Sequence, residues 1–292
     1  MATVSVVTGA NSGIGRATAI HLAAQGHEVY GTVRDVARAE SLLAKAAEAG
    51  VEVNLVELDI ADDDSVARGM GEILERAGRV DVLVNNAGVG GNAVVEEGRP
   101  EQFLDVMNVN LCGAIRCQRH VLPGMRERRS GSIVNVSSVA GRFGAIGQAP
   151  YVASKWALEG MSEQLAFEVA PFGIRVVIIE PGVTKSSIFG KNVDTPNATG
   201  AYGEQYRKML AFYAAGRVGA TDASEVAALI HEAITTDRPQ LRYPCSWGGP
   251  EVIGGRLRMD DADWVGLGAI TNDDTYYARY EALLGVDIRP PS

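Results

Sequence analysis

The chain has 292 residues, of which 46% are hydrophobic and 22% charged, enough apolar material for a substantial core. Its net charge of -9 and its lack of any Lys/Arg cluster argue against a nucleic-acid partner. Cys112, Cys117 and Cys245 are scattered, as are His21, His27, His120 and His231, so neither a disulfide framework nor a metal site is expected.

In chain order, the first apolar run is "TVSVVT" (3–8). No basic region precedes it and no long apolar stretch follows, so no signal peptide or membrane span is expected, and the expected compartment is the cytoplasm. Further runs are "EVYGTV" (28–33), "EVNLVEL" (52–58), "DVLVN" (81–85), "SIVNVS" (132–137) and "IRVVIIE" (174–180). They are short, rich in β-branched residues and nearly continuous in apolar character, as parallel strands buried on both faces are. Helical patterns such as "RATAIHLAAQG" and "SVARGMGEILERAG" lie between them and close at glycines. Repeated βα units predict an α/β fold: a doubly wound, Rossmann-type parallel sheet with helices on both faces. The alternation lapses after about residue 186, and no repeat or linker interrupts the chain, so residues 1–292 read as a single domain.

"TGANSGIG" (8–15) follows the first strand and opens the first helix, the context that gives a glycine pattern meaning. Gly9 would allow the tight turn, Gly13 the approach of a pyrophosphate to backbone N–H groups, and Gly15 close packing of helix on strand. In "YVASKWALEG" (151–160), Tyr151 and Lys155 stand about one helical turn apart and project from one face. Alone, that pair would also suit a core tyrosine and a solvated lysine. The order of motifs decides. "NNAG" (85–88), "NVNL" (108–111), "SS" (137–138), the Tyr151/Lys155 pair and "PG" (181–182) follow the G-x-x-x-G-x-G loop in sequence. Over roughly residues 3–186 the chain thereby resembles the classical short-chain dehydrogenases/reductases.

The resemblance implies a catalytic set of Asn110, Ser138, Tyr151 and Lys155, with interconversion of a ketone or aldehyde and an alcohol. Ser138 is preferred to Ser137 because the family's serine stands about thirteen residues before the tyrosine. Reducing a ketone needs a proton at oxygen, and a free phenol, with a pKa near ~10, is a weak acid–base group at neutral pH. A neighbouring ammonium would favour the phenolate. Asn110 matches the family member whose helix distortion links the lysine to solvent. The implied cofactor-binding set is Gly9, Asn11, Ser12, Gly13, Ile14 and Gly15 of the loop, Asp59 and Ile60, Asn86, Ala87 and Gly88, Tyr151 and Lys155, and Pro181, Gly182, Thr184 and Ser186. In "PGVTKS", Ser186 replaces the family's threonine.

For the choice of dinucleotide, Asp35 lies about 20 residues past the glycines, where an acid would bind the 2′-hydroxyl of NAD. The family's discriminating acid is instead the last residue of the second strand, which here is Val33. Arg34 follows, where NADP-preferring relatives carry a base able to pair with the 2′-phosphate. NADP(H) is therefore expected over NAD(H), with Arg34 as its ligand; as a surface charge, Arg34 would leave the choice open.

Phe189, Tyr202, Tyr206, Phe212 and Tyr213 crowd a short stretch after "PG", where the family places a lid, here about 187–217. Tyr202, Tyr206, Met209/Leu210 and Tyr213 recur at helical spacing. A lid with an apolar inner face implies a bulky, uncharged small-molecule carbonyl or alcohol: steroid-like, polyketide-like or aryl. Residues of about 245–292 extend beyond the usual family core. The helices carrying Asn110 and Tyr151 commonly pair subunits in this family, and outer faces including Cys112, Cys117 and Phe167 predict a homodimer or homotetramer. Two other functions fit less well: a catalytically silent cofactor-binding sensor, which would typically lose Tyr151 or Lys155, and an epimerase or dehydratase, whose branch spaces its glycines differently.

Overall fold

In the computed structural model, which describes residues 2–186 and 196–290, the six apolar runs become six parallel strands. They are β1 (Val4–Thr8), β2 (Glu28–Val33), β3 (Asn54–Glu57), β4 (Val82–Asn85), β5 (Gly131–Val136) and β6 (Ile174–Pro181). A seventh, β7 (Arg242–Cys245), pairs with β6, and the sheet order is β3-β2-β1-β4-β5-β6-β7. Alternate residues face opposite layers, the period that strands impose. Val6, Leu83, Ile133 and Val176 pack against α3 (Asp63–Ala77), α5 (Gly113–Arg128) and α6 (Ala149–Val169). Val7, Val84, Val134 and Val177 pack against α1 (Gly13–Ala24), α2 (Glu40–Glu48) and α8 (Ala223–Thr235). The strand order turns between β1 and β4, and the carboxyl ends there open the crevice where such sheets bind ligands.

One expectation needs correction. Cys117 is fully buried in the core beneath α5, so it is no part of an outer face; Phe167, 83% exposed, is. Of the stretch expected as a lid, residues 187–195, with Phe189, lie outside the described residues. The rest forms α7 (Gly203–Gly219), which buries Tyr206, Met209 and Tyr213, whereas Leu210 points outward. The stripe therefore packs against Val94 and Ile146. β7 completes the sheet, and beyond it the C-terminal extension folds as α9 (Gly249–Arg258), α10 (Asp261–Gly268) and α11 (Asp273–Leu284), which bury Val252, Leu267, Tyr276 and Tyr280 in one cluster with Ala211 of α7. No described helix is long and apolar enough to cross a membrane.

Candidate active site

The crevice is built first from its loop. Gly9 and Gly13 adopt φ of +66° and +55°, which side-chain-bearing residues rarely take. Ser12 is the N-cap of α1, leaving the first turn's N–H groups at the crevice. Thr8 at the end of β1 anchors the floor: its hydroxyl accepts from the N–H groups of Asn86 and Ala87, each at 3.0 Å. Asn86 Nδ2 donates to the Thr8 carbonyl at 2.9 Å. The structure thus uses the Asn86 side chain to fasten the glycine loop to β4. Ala87 lies directly beneath Gly9, and Gly88 against Asn110. Ile14 and Ile60 turn their side chains into the core.

Gly15 has no room for a methyl group. A Cβ there would lie 2.3 Å from Asn86 Nδ2 and 2.5 Å from the Gly9 carbonyl oxygen. Gly15→Ala should therefore displace the loop from β4, costing about 1–3 kcal/mol as overpacking does. Urea unfolding and dinucleotide titration would both record it: a lower midpoint and weaker binding.

Around the loop, Arg34 is exposed and makes no hydrogen bond or ion pair with the described residues. Asp35 is occupied: it caps a short 3₁₀ turn by accepting from Ala37 N at 3.0 Å and sits 3.2 Å from Arg38 Nε. Asn11 Nδ2 donates to the Arg38 carbonyl at 2.9 Å, tying the two loops together. Arg38, four residues beyond Arg34 and largely exposed, is a second guanidinium that the sequence reading missed; the repeated base in "RDVAR" was its signal. Asp59 accepts from Ala61 N at 2.9 Å. On the opposite wall, Ser186 reaches the loop, its Cβ 3.0 Å from where a Cβ of Gly13 would stand. Gly182, following Pro181, donates to the Cys245 carbonyl at 2.8 Å and is pressed against Trp247. Thr184 is buried and bonds the Ser246 hydroxyl at 2.8 Å. The extension thus holds this wall in place.

Tyr151, in the first turn of α6, faces Ser138 just beyond β5. Ser137 instead buries an Oγ with no hydrogen-bond partner among the described residues. Lys155, one turn along, donates from Nζ to the Val136 carbonyl at 3.0 Å and lies 5.6 Å from the centroid of the Tyr151 ring. Desolvation pushes the Tyr151 phenol above its ordinary pKa, only partly opposed by Ser138. It pulls the Lys155 ammonium down to about 8, with Glu159 opposing. In the protein alone, then, the lysine does not convert the phenol to phenolate.

Asn110 occupies a π-helical turn (Asn108–Cys112) between α4 (Pro100–Met107) and α5. Its side chain accepts from Val89 N at 2.8 Å and donates to Val89 O and Ser154 Oγ, both at 2.9 Å. The helix is distorted where the sequence placed Asn110, and the amide is fully engaged. Tyr213 of α7 lies within electrostatic reach of Tyr151, and its hydroxyl stands 3.4 Å from buried Asn92. Beside this wall, a cavity of about 220 Å³ is lined by Phe143, Ile146, Met209, Phe212, Trp264 and Tyr280, among others.

The chain is similar to known proteins over most of its length. The family model described as short chain dehydrogenase matches residues 3–197. The 17-beta-hydroxysteroid dehydrogenase type 1 of Mus musculus is 37% identical over 252 residues, covering 82% of this chain and 73% of the relative. A solved short-chain dehydrogenase from Streptomyces avermitilis superposes with a TM-score of 0.79 at 36% identity, covering 91% of this chain and 95% of that one. An actinorhodin polyketide ketoreductase with NADPH superposes with a TM-score of 0.70 at 33% identity, covering 80% and 90%.

Proposed function

The chain belongs to the short-chain dehydrogenase family, and from that premise we propose that it is an NADP(H)-dependent oxidoreductase interconverting a bulky, largely apolar ketone or aldehyde and its alcohol. The observation that carries this reading is the convergence of Ser138, Tyr151 and Lys155 beside the glycine loop at the carboxyl ends of the central strands. The residues fit a dinucleotide phosphate. Gly9 and Gly13 leave the loop bare for a pyrophosphate, Arg34 offers an uncompensated guanidinium to a 2′-phosphate, and Ser186 faces the loop across the crevice. Asp59 would contact the adenine, and Lys155 the nicotinamide ribose. When bound, the nicotinamide exchanges a hydride with the substrate carbon.

The chain's own residues handle the oxygen. Ser138 holds it against the phenol, and Tyr151 gives it a proton in reduction or takes one in oxidation. The raised phenol pKa keeps Tyr151 protonated at neutral pH, the form that reduction needs. Asn110 shapes the π turn that opens the helix behind Lys155. A bulky substrate is supported by the aromatic cavity beside Tyr213 and by relatives that are a hydroxysteroid dehydrogenase and a polyketide ketoreductase. Subunit pairing through the outer faces of α5 and α6, with Phe167 exposed, belongs to the same reading; sedimentation would report a dimer or tetramer.

A panel of ketones and alcohols, followed by nicotinamide absorbance with each cofactor, tests the proposal. NADPH should be consumed with bulky apolar ketones. Silence of the whole panel with both cofactors, despite tight NADPH binding, would point to the cofactor-binding sensor instead.

A further inference from the structure

Behind the Tyr151/Lys155 pair lies a buried charged cluster that the proposed reaction does not use. Glu159 follows Lys155 by four residues on the same face of α6 and is 4% exposed. Arg242 of β7 donates from Nε to Glu159 Oε2 at 3.0 Å, and its other end reaches Glu163 at 2.5 Å. The same Nε stands 3.7 Å from Oε1 of Glu180, which is 1% exposed, and Arg142 lies 3.4 Å from that oxygen. Glu159 Oε1 is buried with no hydrogen-bond partner among the described residues.

These residues join the segments that build the site. Arg142 comes four residues after Ser138, Glu180 immediately precedes Pro181, and Arg242 opens β7. Two buried carboxylates so close resist double ionisation, and burial together with Glu159 pushes Glu180 up to about 7. The charged and titratable groups around Lys155 and the cluster are Tyr151 and Glu163 on α6 itself and Glu180 on β6, with Arg142 on the turn after β5 and Cys245 of β7 beside Glu180, and Arg242 on β7. Glu101 and Asp105 of α4, which also packs on α6, point to solvent.

We propose that Glu159, held by Arg242, is a positioning residue for the reaction: its half-compensated carboxylate keeps Lys155 an ammonium in a desolvated site. Glu180, which shares Arg242 with Glu159 and pairs with Arg142, completes the cluster. A buried lysine with no opposing charge tends to shed its proton, and Glu159 opposes the desolvation of Lys155. The charge of Lys155, and so its grip on ribose hydroxyls and its effect on the phenol, then depends on a carboxylate that touches neither.

The test reads Lys155 directly and rests on the proposed function only in its second arm. The chain has five lysines, Lys45, Lys155, Lys185, Lys191 and Lys208, so lysine-selective isotope labelling with Lys155→Met for assignment resolves its NMR titration. The wild type should titrate at about 8. Glu159→Gln should lower the midpoint by roughly one unit, as loss of a close opposite charge does. Arg242→Met, which removes the positive charge beside Glu159 and keeps its carboxylate, should raise it, and Glu168→Gln on the same helix should leave it in place. Opposite displacements by the first two variants are an outcome that general loosening of the fold does not produce. If Glu159→Gln fails to fold, Arg242→Met carries the test. A midpoint that stays at the wild-type value in the folded variants overturns the proposal. In the second arm, the alkaline limb of the kcat/KM profile should follow the NMR midpoint. A shifted midpoint without turnover would count against the assigned reaction, not against the role of Glu159.

Discussion

Tyr151→Phe is expected to lower turnover by at least about a hundredfold while leaving dinucleotide affinity nearly unchanged, because positioned acid–base groups typically contribute 10²–10⁴-fold. The substitution removes one hydroxyl and keeps the ring. Ser138 would lose the phenol it faces, but its own turn would remain, since its Oγ accepts from Ala140 N at 3.2 Å. Lys155 does not depend on the phenol, because its Nζ is held by the Val136 carbonyl. The glycine loop is anchored by Thr8 and Asn86, remote in sequence from α6. Cofactor fluorescence titration should therefore agree between variant and wild type, and only the rate should collapse. A Phe variant retaining more than about a tenth of wild-type turnover would place the proton donor elsewhere. Tyr213, whose hydroxyl stands beside Asn92 near the same site, would then be the next residue to replace.

The strands were legible because burial on both faces forces a nearly unbroken apolar run, and β1, β2 and β6 each have one. β7 was not. It is four residues long, lies at the edge of the sheet, contains Pro244 and carries Arg242, whose partners are acids distant in sequence. The catalytic set could be read because its spacing is local: Tyr151 and Lys155 share a helix turn, and Ser138 ends a strand. Contacts made by backbone could not. Gly182 matches a cofactor motif, yet its missing side chain is required by Trp247 and Gly249, more than sixty residues away. Asn86 likewise matches a cofactor residue while its amide fastens Thr8 and Gly9. Periodicity placed the stripe on α7 but could not choose between Met209 and Leu210, adjacent residues about 100° apart on a helix. Only packing against Val94 and Ile146 settles that Met209 turns inward.

Arg34→Ala should weaken NADP(H) binding by roughly tenfold to a hundredfold and hardly change NAD(H) binding, since charged hydrogen bonds contribute about 1.5–3 kcal/mol. The geometry makes this a sharp comparison. Arg34 is exposed at the end of β2 with no ion pair or hydrogen bond to the described residues, so removing it leaves no buried acid uncompensated. Asp35 already accepts from Ala37 N and pairs with Arg38, so it is committed to its own turn. The reciprocal exchange of Val33 for aspartate is a poorer probe, because Val33 is 4% exposed and the new carboxylate would be forced into the core. Asp35→Ala is the better companion. Losing a cap should cost stability on the order of 1 kcal/mol and alter the two dissociation constants alike. Titrating both dinucleotides against both variants gives four constants. If Arg34→Ala weakened NAD and NADP equally while Asp35→Ala selectively impaired NAD, the arginine would only support the loop. Asp35 would then be the ribose ligand, and the protein an NAD-dependent enzyme.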